Sequence, residues 1–196
     1  MSRATKQAHI CADAMDAAGF SPATIISVGV GSSPEHTTWV KRFPNAKRIG
    51  IDPRGRHRWG NDLFINAAIM DFAHPGVVWC GCCRSVLCPD PYGHINPEGH
   101  KKIRRHVVPA VTLDDVARKH GLAPFFLWMD CEGSECAALR GGSIMLRQTP
   151  FISTEVLHCG AELDPLLKSL GYSVLRDESK HTLDRLYHDP TKLVAP

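Results

Sequence analysis

An α/β domain, built on a mostly parallel sheet with helices on both faces, is the fold this sequence predicts. Three observations carry that expectation. β-branched or fully apolar runs such as residues 24–30 and Phe125–Met129 alternate with segments of helical spacing. Those runs are apolar without alternation, as strands covered on both faces must be. Glycine turns or carboxylates close most of them, which marks the ends of parallel strands where ligands bind.

The elements follow in order. Apolar residues at Ala4, Ala8, Cys11, Met15 and Ala18 recur at spacings of 4, 3, 4 and 3, so residues 1–19 form an N-terminal amphipathic helix stopped at Gly19. Residues 24–30 are a buried strand that enters the turn Gly31-Ser32-Ser33-Pro34, residues 35–43 a helix, and residues 48–51 a second strand closing on Asp52-Pro53. Strand, glycine turn, helix and strand make a βαβ unit. A weaker strand pair is expected at 64–70 and 77–79, followed by a long loop over 81–105 that collects Pro, Gly, Cys and His without periodicity. Regular spacing resumes at Thr112, which caps a helix with Asp114 and Asp115 in its first turn and Gly121 as its stop. Next come an apolar strand at Phe125–Met129, a short helix ending at Gly141-Gly142, and a strand from Phe151 into Glu155. A helix through Leu163, Leu166, Leu167 and Leu170 and an antiparallel hairpin from 172–175 and 182–187 complete the chain.

Composition narrows the function. With 196 residues, 43% of them apolar, one domain spanning the whole chain is expected, able to bury roughly 70% of its unfolded surface without a staple. The formal charge of +3 is too small to indicate nucleic acid. No apolar run is long enough for a membrane span, and the N-terminus lacks the apolar stretch of a signal peptide, so a cytoplasmic protein without a membrane partner is expected. In that reducing compartment the eight cysteines read as free thiols or metal ligands rather than disulfides.

Chemistry is sought at the strand ends. Gly29 and Gly31 let the backbone turn sharply beside a ligand, and Asp52, 23 positions beyond Gly29, stands where a carboxylate accepts hydrogen bonds from ribose hydroxyls. Pro34 replaces the third glycine of the dinucleotide fingerprint, which disfavours a pyrophosphate there.

Residues 111–146 carry three further blocks: Thr112-Leu113-Asp114-Asp115, Asp130-Cys131-Glu132-Gly133-Ser134-Glu135 and Leu139-Arg140-Gly141-Gly142. With Ser27-Val28-Gly29-Val30-Gly31, Asp52-Pro53 and Asn66-Ala67-Ala68-Ile69-Met70-Asp71 upstream, the chain resembles the FkbM family of S-adenosylmethionine-dependent methyltransferases over residues 25–155. The resemblance implies a Rossmann-like class I methyltransferase with S-adenosylmethionine as cofactor. Ser27, Gly29 and Gly31 then lie at the methionine end, Asp52 on the ribose and Asp71 near the adenine amino group, with Asn66 also among the cofactor-binding residues. Ser27 stands where the family usually has Asp, and Asp52-Pro53 where it usually has Glu-Pro, which keeps the carboxylate.

Methyl transfer to a hydroxyl needs in-line positioning and a base to take the proton. The candidates are Asp130, Glu132, Glu135, Glu155 and His158, all just past strands. The expected acceptor is a small-molecule or sugar-type hydroxyl held by the 81–105 loop. Four positive charges among residues 100–106 would suit one that bears phosphate. Cys80, Cys82, Cys83 and Cys88 have the ligand type of Zn²⁺ but irregular spacing, and partly buried free thiols are the competing reading. Two other functions remain open at this point: a nicotinamide-dependent oxidoreductase on the same fold, and a zinc-containing, nucleic-acid-associated binding module with a decayed cofactor site.

Overall fold

The computed structural model describes residues 2–30, 35–53, 63–80, 105–121, 125–131, 133–156, 160–177 and 184–193, with backbone alone at 77–80 and 105–106. Helix α1 (Arg3–Ala17) begins where the Ser2 hydroxyl accepts from the Thr5 N–H at 3.1 Å and buries Ala8, Cys11, Ala12 and Met15. It stops at Gly19, whose φ of +66° is left-handed. Strand β1 (Thr24–Val28) is buried throughout, α2 (His36–Arg42) covers it with Trp39, and β2 (Lys47–Ile51) runs parallel to it.

β3 (Leu63–Ile65) pairs with β2, also in parallel. The second half supplies α3 (Leu113–His120), β7 (Phe125–Met129), α4 (Glu135–Arg140), β8 (Phe151–Glu155), α5 (Gly160–Ser169), β9 (Ser173–Asp177) and β10 (Asp184–His188). β4 (Ala68–Ile69), β5 (His74–Cys80) and β6 (Arg105–Val111) lie between the halves. The main sheet has seven strands in the order β3-β2-β1-β7-β8-β10-β9. Only β10 runs against its neighbours, pairing antiparallel with both β8 and β9, so the expected parallel sheet with a C-terminal hairpin is the observed fold.

The unalternating strands are explained by their two covers. Ile25, Phe126, Phe151 and Leu186 pack with Trp39, Phe43 and the buried stripe of α1. The intervening Ile26, Leu127, Ile152 and Tyr187 pack with Leu113, Leu139, Leu163 and Leu167 from α3, α4 and α5. Trp39 meets Phe126 and Trp128 edge-on, with ring centroids 5.3 and 5.5 Å away.

The middle of the chain departs from expectation. The run at 64–70 is not one strand: it breaks after Ile65, leaving β3 in the main sheet while β4 joins a second sheet of order β4-β6-β5. β5 pairs with β6 rather than with β4. β6 was not expected, and Arg105, taken as the last residue of the loop, begins it; residues 81–104 lie outside the described residues. Pro109 sits in this central strand opposite the point where the β5 register shifts between His74 and Val77, an irregularity of the kind at which sheets tolerate proline. Ala68, Met70, Val108 and Ala110 form a small core here, against Ala137 of α4. Among the described residues no helix is long and apolar enough to cross a membrane.

Candidate functional site

The strand order reverses between β1 and β7, since β2 and β3 lie to one side of β1 and β8 to the other of β7. Ligands bind at such switch points because the connections diverge and leave a crevice beyond the carboxyl ends. Three backbone hydrogen bonds stitch those ends together. Asp130 N donates to Val28 O at 2.9 Å, Gly29 N to Ile51 O at 2.9 Å, and Asp52 N to Ile65 O at 3.2 Å. Gly29 has to be glycine: its φ is +77°, and a Cβ there would fall 1.8 Å from the Asp130 carbonyl oxygen.

Asp52 follows β2 and is 1% exposed. β3 lies beside β2 with Ile65 opposite Ile51, so the residues that follow, Asn66 and Asp52, are level. The Asn66 amide nitrogen, oriented to satisfy the network, donates to the carbonyls of Asp52 at 3.3 Å and Pro53 at 3.0 Å.

Past β7 the chain turns through Asp130 and Cys131 into α4. The turn is held by Glu135, whose buried carboxylate accepts from Cys131 N at 3.0 Å and Gly133 N at 2.9 Å. Gly133 adopts a φ of +104°, which a side chain would resist.

Glu155, at the end of β8, is 3% exposed and accepts from Arg3 of α1 at 3.3 Å. Asp184 of β10 stands directly opposite it across the antiparallel pair and is also buried. One level lower, Gln7 donates to Ser153 Oγ at 3.2 Å. Burial pushes the neighbouring Cys11 thiol up to about 12, against the lowering effect of its hydrogen bond to Ser153, so it is not a nucleophile at neutral pH.

With this geometry in place, the profile of the methyltransferase FkbM domain matches residues 61–174, more than half of the chain. The chain belongs to the FkbM methyltransferase family. The match spans Asn66, Asp130, the Glu135 turn and Glu155, while Gly29 and Asp52 precede it. It lends no support to the oxidoreductase or binding-module alternatives. No curated protein matches the chain at significance.

Two sequence blocks of this FkbM methyltransferase prove to be one structural joint. Thr112 and Asp115 form a reciprocal capping box at the start of α3. Asp114 turns the other way and accepts from Ile144 N at 3.0 Å and Met145 N at 2.8 Å, capping the 3-10 turn Met145–Gln148. In return Asp114 N donates to Gly141 O at 3.0 Å. A Cβ on Gly141 would meet the Met70 carbonyl oxygen at 2.2 Å, and one on Gly142 would press on Leu113 at 3.0 Å. The double glycine is therefore a packing requirement.

The remaining predicted residues fall as follows. Ser27 is fully buried inside β1, and its hydroxyl has no hydrogen-bond partner among the described residues. Asp71 is exposed beyond β4, its Cα beside Gly141. Gly31, Glu132 and His158 lie outside the described residues, as do Cys82, Cys83, Cys88, the side chain of Cys80 and the basic segment 100–104. Among the described residues no group of three or more His, Cys, Asp and Glu could hold a metal. Arg3 was not anticipated as a site neighbour: it lies 152 positions from Glu155, and only the packing of α1 brings them together.

Proposed function

We propose that this methyltransferase uses S-adenosylmethionine and methylates a hydroxyl of a small-molecule or sugar-type acceptor. The observation that carries the reading is the placement of Asp52: a buried carboxylate at the end of β2, stitched beside the Gly29 turn at the switch point of the sheet. The donor set fits an adenosyl ligand. A carboxylate suits the two hydroxyls of a ribose, and a left-handed glycine lets a ligand approach the backbone.

When bound, the sulfonium supplies an electrophilic methyl group. The chain's own residues orient the partners and accept the proton that the acceptor hydroxyl loses. Asp130 is the first choice as base, because its backbone abuts the Gly29 turn and it is only partly buried. Glu155, engaged by Arg3 on the α1 side, is the second.

Calorimetric titration with S-adenosylmethionine, and with NAD as a control, tests the cofactor. We expect S-adenosylmethionine to bind, and Asp52→Ala to weaken it by about ten- to a hundredfold, the range of a charge-assisted hydrogen bond. Absence of binding by the wild-type protein overturns the reading. Radiolabelled methyl transfer to a panel of hydroxylated small molecules tests the acceptor class. In that assay Asp130→Asn should bind cofactor normally yet lose at least about tenfold in turnover.

A further inference from the structure

Glu155 closes β8 at the carboxyl end of the sheet and is only 3% exposed, so desolvation opposes its charged form. Two neighbours add to that opposition. Asp184, equally buried, stands directly opposite it on β10. On the other side β7 runs beside β8 with Met129 opposite Thr154, which leaves Asp130 level with Glu155. Alternation along the strands puts Glu155 and Asp184 on the face that α1 covers. Phe151 and Leu186 of that face pack with α1, Gln7 bonds Ser153, and the Cys11 thiol is raised in part by the charge of Asp184. Like charges directly opposite one another repel, and a carboxyl so placed keeps its proton to higher pH.

Arg3 brings the opposite charge. It is the first residue of α1, its Nη2 donates to Glu155 Oε1 at 3.3 Å, and its side chain is 40% exposed, so a guanidinium still in contact with water reaches a buried carboxylate. A cation this close favours the ionised carboxylate about as strongly as burial and a like charge disfavour it. We infer that Arg3 is a positioning residue of the methyl transfer that acts through Glu155, keeping this carboxylate ionised at neutral pH and fixed at the end of β8. Whether Glu155 takes the proton or accepts a hydrogen bond from the acceptor hydroxyl, only its ionised form serves. The helix that supplies Arg3 precedes residues 61–174, so the contact ties the N-terminal helix of this chain to the part matched by the family profile.

The inference rests on the S-adenosylmethionine reading, and its first test is independent of that reading. Carbon-13 NMR of the side-chain carboxyls, with the Glu155 signal assigned by its loss in Glu155→Gln, follows the titration of this group in the ligand-free protein. Arg3→Gln should raise the midpoint by about one pH unit or more, and Arg3→Lys should keep it near the wild-type value. Adding Asp184→Asn to Arg3→Gln should bring it down again. Arg3 is partly exposed at the start of its helix, so Arg3→Gln should melt close to wild type; Arg3→Met, which keeps the aliphatic stem, replaces it if it does not. The second test is the pH dependence of radiolabelled methyl transfer. Activity falls as Glu155 is protonated, so in Arg3→Gln the acid limb should move to higher pH by the same amount, with the affinity for S-adenosylhomocysteine unchanged. A midpoint that Arg3→Gln leaves in place overturns the inference, as does an acid limb that stays while the midpoint moves. If no compound of the panel is methylated, the Glu155 midpoint decides alone. A wild-type protein that binds no S-adenosylmethionine overturns the cofactor reading instead, and does so without altering the carboxyl titration.

Discussion

Glu135 accepts a hydrogen bond from the backbone N–H of Cys131, 3.0 Å away, and its second oxygen takes that of Gly133. The last acid of the Asp130–Glu135 block is thus a strut of the turn, buried at the first residue of α4, where a carboxylate also meets the positive end of the helix. Glu135→Ala leaves two inward-facing N–H groups without an acceptor. It should lower stability by about 2–4 kcal/mol, read by urea denaturation. Glu135→Gln keeps one acceptor oxygen and turns an NH₂ group on the other N–H, so it should lose less than the alanine variant but remain below wild type. Equal stability of Glu135→Ala and wild type would remove the strut.

Two left-handed glycines allow strain and collision to be separated. Gly19 has a φ of +66° with nothing within 4 Å of a Cβ, while Gly29 at +77° would drive one into the Asp130 carbonyl. Gly19→Ala should cost about 1 kcal/mol, the conformational term alone. Gly29→Ala adds overlap with backbone and should cost at least about 3 kcal/mol. Denaturation midpoints that move equally for the two variants would contradict the close approach of β1 and β7.

Asp114 offers a test of the joint between α3 and the glycine pair. Asp114→Ala removes the acceptor for Ile144 N and Met145 N and should lower stability by about 1–2 kcal/mol, as losing a helix cap does. Because Ser143 Oγ is a further donor to the same carboxylate at 3.3 Å, Ser143→Ala should matter far less in the Asp114→Ala background than in wild type. Additive effects in the double variant would show that the two side chains act independently.

Mild acid should weaken the fold through histidines. His188 stacks on Phe151 with centroids 4.3 Å apart, and burial depresses its pKa, with Asp189 pulling partly the other way. Burial, with Lys47 and Lys119, depresses His120 as well. A histidine whose folded value lies below the unfolded one, about 6.5, is protonated first in the unfolded chain. Stability therefore falls as pH drops from about 6.5 towards the folded values, and the loss is complete below them. His188→Phe keeps the stack and should flatten the melting temperature over this window. The depressed carboxylate of Asp115, held down chiefly by Thr112, contributes only at lower pH, as protonation breaks the capping box. A profile unchanged by both His188→Phe and His120→Gln would reject this account.

Local rules made much of this fold legible. The spacing of Ala8, Cys11 and Met15 and the glycine after them define α1, because amphipathic periodicity and a left-handed stop are properties of a short stretch of chain. The apolar run Phe125–Met129 is a strand over the expected residues, and the cap at Thr112 starts α3 where its hydroxyl reaches the Asp115 N–H. β6 escaped notice for an equally physical reason. Its proline argues against a central strand, and what makes it tolerable is an irregularity in β5, some thirty residues earlier.

By itself, then, the sequence determined the helices and the strands of the main sheet outside the middle of the chain, the carboxylates and glycines at their ends, and the blocks that mark an FkbM methyltransferase. Only the tertiary structure decided what those residues do to one another. Asn66 is level with Asp52, Glu135 folds back onto Cys131 and Gly133, Arg3 reaches Glu155, and Asp114 caps a turn thirty residues away. The reason is that a side chain's partner is fixed by strand order and packing, which depend on contacts between distant segments. Nearly the same acids recur along the chain, and burial against different neighbours makes one a ligand candidate, another a strut and a third a cap.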